Sequence, residues 1–250
     1  INAKDAIALI SKGVSNAKIT LKQEESKGRS RNVILDLPGE IDEYIVLTAH
    51  YDSTSLSQGA YDNMSGCVGL LYLAEYFAKH PQHYSLRFIW CGSEERGLLG
   101  SKNYCTHEDW IQNCVMNINL DMIGSLMGKF LSCVTAGDRM SSYISCLSSE
   151  LGFQNDVYQG VYSSDSTPFA DKNIPAVSFA RNPQRTMFGY HDRYDTIDVM
   201  DGDQMVEDFE FVLAFAKRMA AARHCPFARE MPDNIRTKLD HYLGVKRSNQ

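Results

Sequence analysis

The sequence predicts an α/β domain with a largely parallel central sheet, and three observations carry that prediction. A continuous apolar run at residues 44–49 has strand length, as expected of a strand buried on both faces, and the mostly apolar runs 86–91, 115–120 and 176–180 read as further strands. Stretches of helical periodicity fall between these runs, the arrangement that joins parallel strands by crossovers. Polar groups directly follow three of the runs, at His50-Tyr51-Asp52, Glu94-Glu95 and Asp121. In open α/β sheets, ligands bind outside the carboxyl ends of the strands.

Residues 3–12 place Ala6, Ile7, Leu9 and Ile10 on a short amphipathic helix that Gly13 ends. Residues 17–23 and 32–37 alternate and read as strands, the second closed by Pro38-Gly39. The polar, basic stretch 24–31 between them reads as a loop or a boundary. After the run 44–49, the segment 49–63 (AHYDSTSLSQGAYDN) gathers His50, Asp52 and Asp62 in one polar excursion. Residues 64–78 then space Met64, Cys67, Val68, Leu71, Ala74 and Ala78 helically, which points that helix's N-terminus at Asp62.

The run 86–91 leads into Gly92-Ser93-Glu94-Glu95, and 98–105 reads as a short helix. The run 115–120 ends at Asp121, 130–134 is a further strand, and helices follow near 140–151 and 167–171. The strand 176–180 precedes the strongest helix, 205–221, with Val206, Phe209, Leu213, Ala216 and Met219 on its apolar side. One more helix is expected near 233–243. No internal repeat or low-complexity segment appears.

Two hundred and fifty residues suffice for one sizeable core in one or two domains. With 44% apolar and 22% charged residues the composition is ordinary for a soluble protein. A net charge of -6 argues against a nucleic-acid surface or an anionic membrane as partner. No run has the length of a membrane-spanning helix and no basic-then-apolar leader opens the chain. The first residue is Ile1, so a processed or truncated chain is expected. Seven cysteines without CxxC spacing suit packed, reduced thiols, hence a cytoplasmic location, and argue against a zinc-thiolate site. The many Tyr and Phe residues read as core, because no basic stripe accompanies them.

Histidine and carboxylate are the side chains that hold a borderline-hard divalent metal. The adjacent Glu94 and Glu95 point in different directions, so one can bind metal while the other addresses water or substrate; a solvated acidic pair is the alternative. Asp121, flanked by Leu120, Met122 and Ile123, is costly to bury unless paired or metal-bound. Asp62 precedes a helix and also suits a simple capping role. Tyr190-His191-Asp192 lies in a loop with Arg193 and Asp195, where a solvated histidine is the alternative. His80, His83, His107, His224 and His241 read as surface residues. There is no GxSxG elbow, Walker loop or dinucleotide fingerprint, and Ser93 is a poor nucleophile candidate.

With these residues in hand, the chain resembles the co-catalytic zinc exopeptidases grouped around bacterial leucyl aminopeptidase, a superfamily that also holds glutamate carboxypeptidase and glutaminyl cyclase. The matching segments are TAHYDS at 48–53, GAYDNMSG at 59–66, FIWCGSEERGLLGS at 88–101, INLDMIG at 118–124, SDSTPFADKNIPAVSF at 164–179 and YHDRYDTID at 190–198. They occur in family order. The resemblance implies a three-layer α/β/α sandwich with a mostly parallel, mixed sheet. It further implies two zinc ions bridged by Asp62, with His50 and Asp121 completing one site and Glu95 and His191 the other. Glu94 would be the general base toward a metal-bound hydroxide, Asp52 the partner orienting His50, and Tyr190 a donor to the developing oxyanion. A cis peptide after the bridging aspartate, Asp62–Asn63, is also implied. Where many relatives have His after Asp165 this chain has Ser166, which is expected to alter loop packing or pocket shape.

The implied activity is that of a metallo-aminopeptidase acting on peptides with a free N-terminus. Carboxypeptidase, glutaminyl cyclase and a non-catalytic receptor-like relative are the alternatives. The carboxypeptidase would use Arg181, Arg185 or Arg193 as a bidentate fork, although these read first as solvated loop arginines. The expected division is a segment 1–29 that follows a missing protease-associated lid domain, a catalytic domain at 30–225 and a C-terminal extension at 226–250. The oligomeric state is not legible.

Overall fold

The computed structural model describes residues 2–183 and 189–245. In chain order its main elements are α1 (Ala3–Ser11), β1 (Val33–Leu37), β2 (Ile41–His50), α2 (Ser65–Ala78), β3 (Tyr84–Cys91), α3 (Leu99–Thr106), α4 (Glu108–Ile111) and β4 (Cys114–Leu120). They continue with β5 (Lys129–Thr135), α5 (Asp138–Leu151), β6 (Asp156–Gln159), α6 (Ser166–Asp171), β7 (Ala176–Asn182), α7 (Gly202–Ala220) and α8 (Asp233–Leu243).

The strands form one sheet in the order β1-β3-β2-β4-β7-β5-β6. The central strands β3, β2, β4 and β7 are parallel, while β1 and β5 run antiparallel to their inner neighbours, so the sheet is mixed. Every residue from Ile45 to His50 is buried, the outcome that an unbroken apolar run requires. Alternate side chains then feed two cores. On one face Ile45, Leu47 and Ala49 join Phe88, Ile118 and Phe179 against α2, α5 and α7. On the other, Val46, Ile89 and Cys114 meet Tyr104 of α3, Ile111 of α4 and Phe169 of α6. There α8 seats Ile235 and Leu239 on Ala170 and Ala176. Helices thus cover both faces of the sheet, as the α/β reading expects.

From β2 the chain builds outward to β3 on one side and returns to β4 on the other. The order reverses between β2 and β4, and at such a reversal the loops diverge and leave a crevice at the carboxyl ends. His50 closes β2 and Asp121 follows β4 at this point.

Some local expectations are corrected. Residues 17–23 form no strand, and Ile19 and Leu21 are exposed. Among the described residues no strand pairs with this stretch, and alternation without a partner does not make a strand. Conversely β6 is only four residues long and half-exposed at the sheet edge, too short to give a periodic signal. Helix α2 forms as expected, but Met64, Val68 and Leu71 are exposed while Leu70, Leu73 and Phe77 are buried. Apolar residues surround that helix almost completely, so periodicity could not choose the inward face. Val206 of α7 is likewise exposed, although Phe209, Leu213, Ala216 and Met219 pack inward as read. Helix α1 is present and has no buried residue.

Candidate metal centre

Two turns converge on the crevice. The chain leaving β2 passes through Gly59 into a π-helical turn, Ala60–Met64, in which the Asp62–Asn63 peptide is cis. The Asn63 side chain ties this turn to the end of β4. Its amide donates to Leu120 O at 2.9 Å, and its Oδ1 accepts from Gly66 N at 2.9 Å and Met122 N at 3.1 Å. A Cβ on Gly66 would lie 2.4 Å from Leu120 O, so only glycine permits this approach. The second turn follows β3. Asp52 holds it by accepting from Glu94 N at 2.9 Å and Glu95 N at 3.3 Å.

The residues that result face one another closely. His50 Nε2 lies 3.2 Å from Asp62 Oδ1, 3.5 Å from Asp121 Oδ1 and 4.0 Å from Glu94 Oε2. His191 Nε2 lies 3.0 Å from both Asp62 Oδ2 and Glu95 Oε2. Donor atoms of His50, Asp62 and Asp121 fall within one compact group, and those of Asp62, Glu95 and His191 within a second that shares Asp62. His50, Asp62 and Asp121 are buried, whereas His191 is half-exposed, with its backbone in the left-handed region at φ 64°. The five residues read as ligands are therefore brought together, in two sets with a common member.

Electrostatics describes a site short of positive charge. Burial pushes the Glu94 carboxyl up to about 9 and that of Glu95 up to about 7, with neighbouring carboxylates adding to both. Burial works the other way on His50, but the adjoining Asp121 and Asp62 carboxylates more than reverse it and raise its pKa well above 6.5. Glu95 Oε1 and Asp121 Oδ1 are buried without a hydrogen-bond partner among the described residues. Crowded carboxylates with free oxygens beside two imidazoles are what a divalent cation neutralises. The donor set fits metal.

Asp52 acts differently from expectation. His50 Nδ1 lies 3.1 Å from the main-chain carbonyl of Asp52 and 3.9 Å from its carboxylate, which is engaged by the turn at Glu94. Tyr190 lines the site, its ring edge-on to His191 at 5.1 Å. Ser166 is buried and shares a 2.7 Å hydrogen bond with Ser178.

Arg181 is no solvated arginine. It is largely buried in β7, forked onto Asp208 and donating to Gly128 O at 3.0 Å, so it is not free to bind a substrate carboxylate. Arg193 is exposed over Tyr194, and Arg185 lies outside the described residues.

Three supporting residues were not read from the sequence. Asp195, buried, accepts from Tyr61 N and Asp62 N and so holds the turn carrying the shared carboxylate. Its place in the YHDRYDTID segment was the available signal. Asp165, also fully buried, has its carboxyl raised to about 6 by burial against the opposing influence of His50. Tyr242 of α8 reaches the site from outside every motif, and nothing in the sequence announces it.

The cavity over these groups measures about 510 Å³, and Leu98, Met122, Tyr162 and Asn182 complete its walls. A larger cavity of about 820 Å³ beside Lys129 and Glu207 contains none of the candidate ligands.

Known proteins resemble the chain in sequence and in fold. Residues 32–216 match the model of peptidase family M28. The chain is 31% identical over 182 residues to aminopeptidase YwaD of Bacillus subtilis (strain 168), a match covering 69% of this chain and 40% of that protein. Among solved structures, BSAP, a zinc aminopeptidase from Bacillus subtilis, superposes with a TM-score of 0.69 at 27% identity, covering 82% of this chain and 53% of that one. The aminopeptidase from Aneurinibacillus sp. strain AM-1 gives the same TM-score and identity, with 79% and 50% covered. The chain thus spans about half the length, or less, of these relatives.

Proposed function

The chain belongs to peptidase family M28, and from that premise we propose that it is a zinc-dependent aminopeptidase that removes N-terminal residues from peptides. The observation that carries this reading is the disposition of Asp62. Its Oδ1 faces His50 at 3.2 Å and its Oδ2 faces His191 at 3.0 Å, so one carboxylate addresses two donor sets. We assign His50, Asp62 and Asp121 to one zinc ion and Asp62, Glu95 and His191 to a second. When bound, such a pair supplies polarisation of the scissile carbonyl and an acidified water.

The protein's own groups do the rest. Glu94 has its main-chain N–H fixed by Asp52, and its carboxylate, which lines the cavity, would take a proton from the attacking water and return it to the leaving amine. Asp52 holds His50 Nδ1 through its carbonyl, which fixes the ring so that Nε2 faces the carboxylates. Tyr190, which lines the cavity, would donate to the oxygen on which negative charge develops. The acidic rim suits a substrate's free ammonium group and disfavours a carboxyl terminus.

The candidate ligand sets are complete, which favours this reading over a mono-zinc cyclase. The division into a segment 1–29, a catalytic domain 30–225 and an extension 226–250 remains part of the proposal, as does a cytoplasmic location. No helix among the described residues is long and apolar enough to cross a membrane. The test is a panel of free-amine, N-blocked and N-terminal-Gln peptides, with bound metal measured on the same preparation. Cleavage of the free-amine peptides with close to two zinc ions per chain is expected. A single tight ion with cyclisation of the Gln peptide would replace the reading with a cyclase, and preference for N-blocked peptides would replace it with a carboxypeptidase.

A further inference from the structure

Helix α8 lies outside the residues matched by the family model, yet its last turn reaches the cavity over the candidate metal centre. Ile235, Leu239 and Tyr242 recur at i, i+4 and i+7, so they share one helical face. The first two are completely buried against Ala170 and Ala176. Arg236 pins the same turns to α6, pairing with Asp171 at 3.1 Å and donating to Asn173 Oδ1 at 2.5 Å. A rise of 1.5 Å per residue carries the face about 10 Å onward to Tyr242. There the phenol hydroxyl meets Ser163 Oγ at 2.5 Å. The helix is thus anchored at its start and delivers an aromatic ring, held at its tip, to the pocket mouth.

The walls also include Leu98, Met122 and Tyr162, and no lysine or arginine lines the cavity among the described residues. The Tyr162 hydroxyl is buried with no hydrogen-bond partner among those residues, so this wall keeps an unused donor. We infer that α8 forms part of the substrate-binding pocket and that Tyr242 is a specificity-determining residue, its ring packing on a large apolar side chain of the substrate's terminal residue. This inference rests on the aminopeptidase reading and deepens it.

The experiment compares zinc-loaded wild type with Tyr242→Ala, Tyr242→Phe and Ser163→Ala. Turnover is followed on leucyl-, phenylalanyl- and glycyl-p-nitroanilide, and binding of free L-leucine, L-phenylalanine and glycine by calorimetry. Tyr242→Ala should lower kcat/KM for the leucyl and phenylalanyl substrates about tenfold through KM, with the glycyl substrate little changed. Tyr242→Phe, which keeps the ring but loses the hydroxyl's hydrogen bond to Ser163, should shift the preference partway. Ser163→Ala, which leaves α8 intact but frees the ring, should shift it partway. An unchanged leucine-to-glycine ratio in Tyr242→Ala, by turnover and by calorimetry, overturns the inference and leaves the aminopeptidase reading standing. If the wild type cleaves none of the substrates that reading falls, and calorimetry alone decides. Apolar binding lost in Tyr242→Ala sustains the pocket; equal or absent binding overturns it.

Discussion

Asp195 and Asp62 are 133 residues apart in sequence, yet the Asp195 carboxylate receives the main-chain N–H of Asp62 at 3.1 Å and that of Tyr61 at 2.6 Å. The position of the shared carboxylate is therefore set by a second carboxylate with no place in the ligand sets. Ser57 adds a third hydrogen bond to the same group at 3.2 Å.

Replacing Asp195 should loosen the metal centre without removing a ligand. In Asp195→Ala the two amides lose their acceptor, at a cost of about 1–3 kcal/mol for each buried donor left unpaired. A lower melting temperature is expected together with zinc affinity weakened by about tenfold or more. Competition titration with a chromogenic chelator measures the second quantity. Wild-type affinity in a destabilised variant would reduce Asp195 to a purely structural residue.

Glu94→Gln separates proton transfer from metal binding. The amide keeps the size of the side chain and loses its basicity, so turnover should fall by about 10²–10⁴ with zinc content unchanged. Metal analysis and steady-state kinetics on one preparation decide it, and an active variant defeats the role assigned to Glu94.

The metal-stripped protein should lose stability as pH rises. Burial raises the Glu94 carboxyl from 4.5 to about 9 and that of Glu95 to about 7, so the folded state binds these protons more tightly than the unfolded one. The stability contributed is fully present below the unfolded value and is lost as pH rises through the folded ones. His50, raised by its carboxylate neighbours, has the same sign. Melting temperatures of stripped wild type should fall relative to stripped Glu94→Gln between about pH 5 and about pH 9. Zinc should flatten the difference in slope, because cations favour the ionised carboxylates. A wild-type slope no steeper than the variant's contradicts the prediction.

Arg181→Met should destabilise the fold by about 3–5 kcal/mol, because it leaves Asp208 fully buried and unpaired. Gly124 N donates to Asp208 at 3.0 Å, a hydrogen bond that Arg181→Met keeps and only replacement of Asp208 removes. Adding Asp208→Leu should recover part of the loss, since an apolar pair replaces a lone charge. Denaturant unfolding of both variants measures the difference.

The parts of the site legible in the sequence share a physical cause. The strands ending at His50 and before Asp121 are buried on both faces, so their apolar runs end where the polar groups begin. The motifs around Asp62, Glu94-Glu95 and His191 then supplied roles that composition and periodicity left open between ligand, cap and solvated loop. Other residues gave no such signal. Arg181 read as a loop cation because its partner Asp208 belongs to α7, and residues 17–23 read as a strand because alternation does not reveal whether a ladder partner exists.

The sequence by itself determined the α/β class, the principal strands and the identity of the side chains that could hold metal. These follow from local periodicity and residue chemistry, which the chain carries with it wherever it folds. Only the tertiary structure decided that Asp52 reaches His50 through its carbonyl, that Asp195 fixes the shared carboxylate and that Tyr242 enters the cavity. Each of these depends on which carbonyl, amide or ring a neighbouring element presents within about 3 Å, the reach of a hydrogen bond. That is settled by packing across the reversal between β2 and β4, and by the docking of α8 on α6, rather than by spacing along the chain.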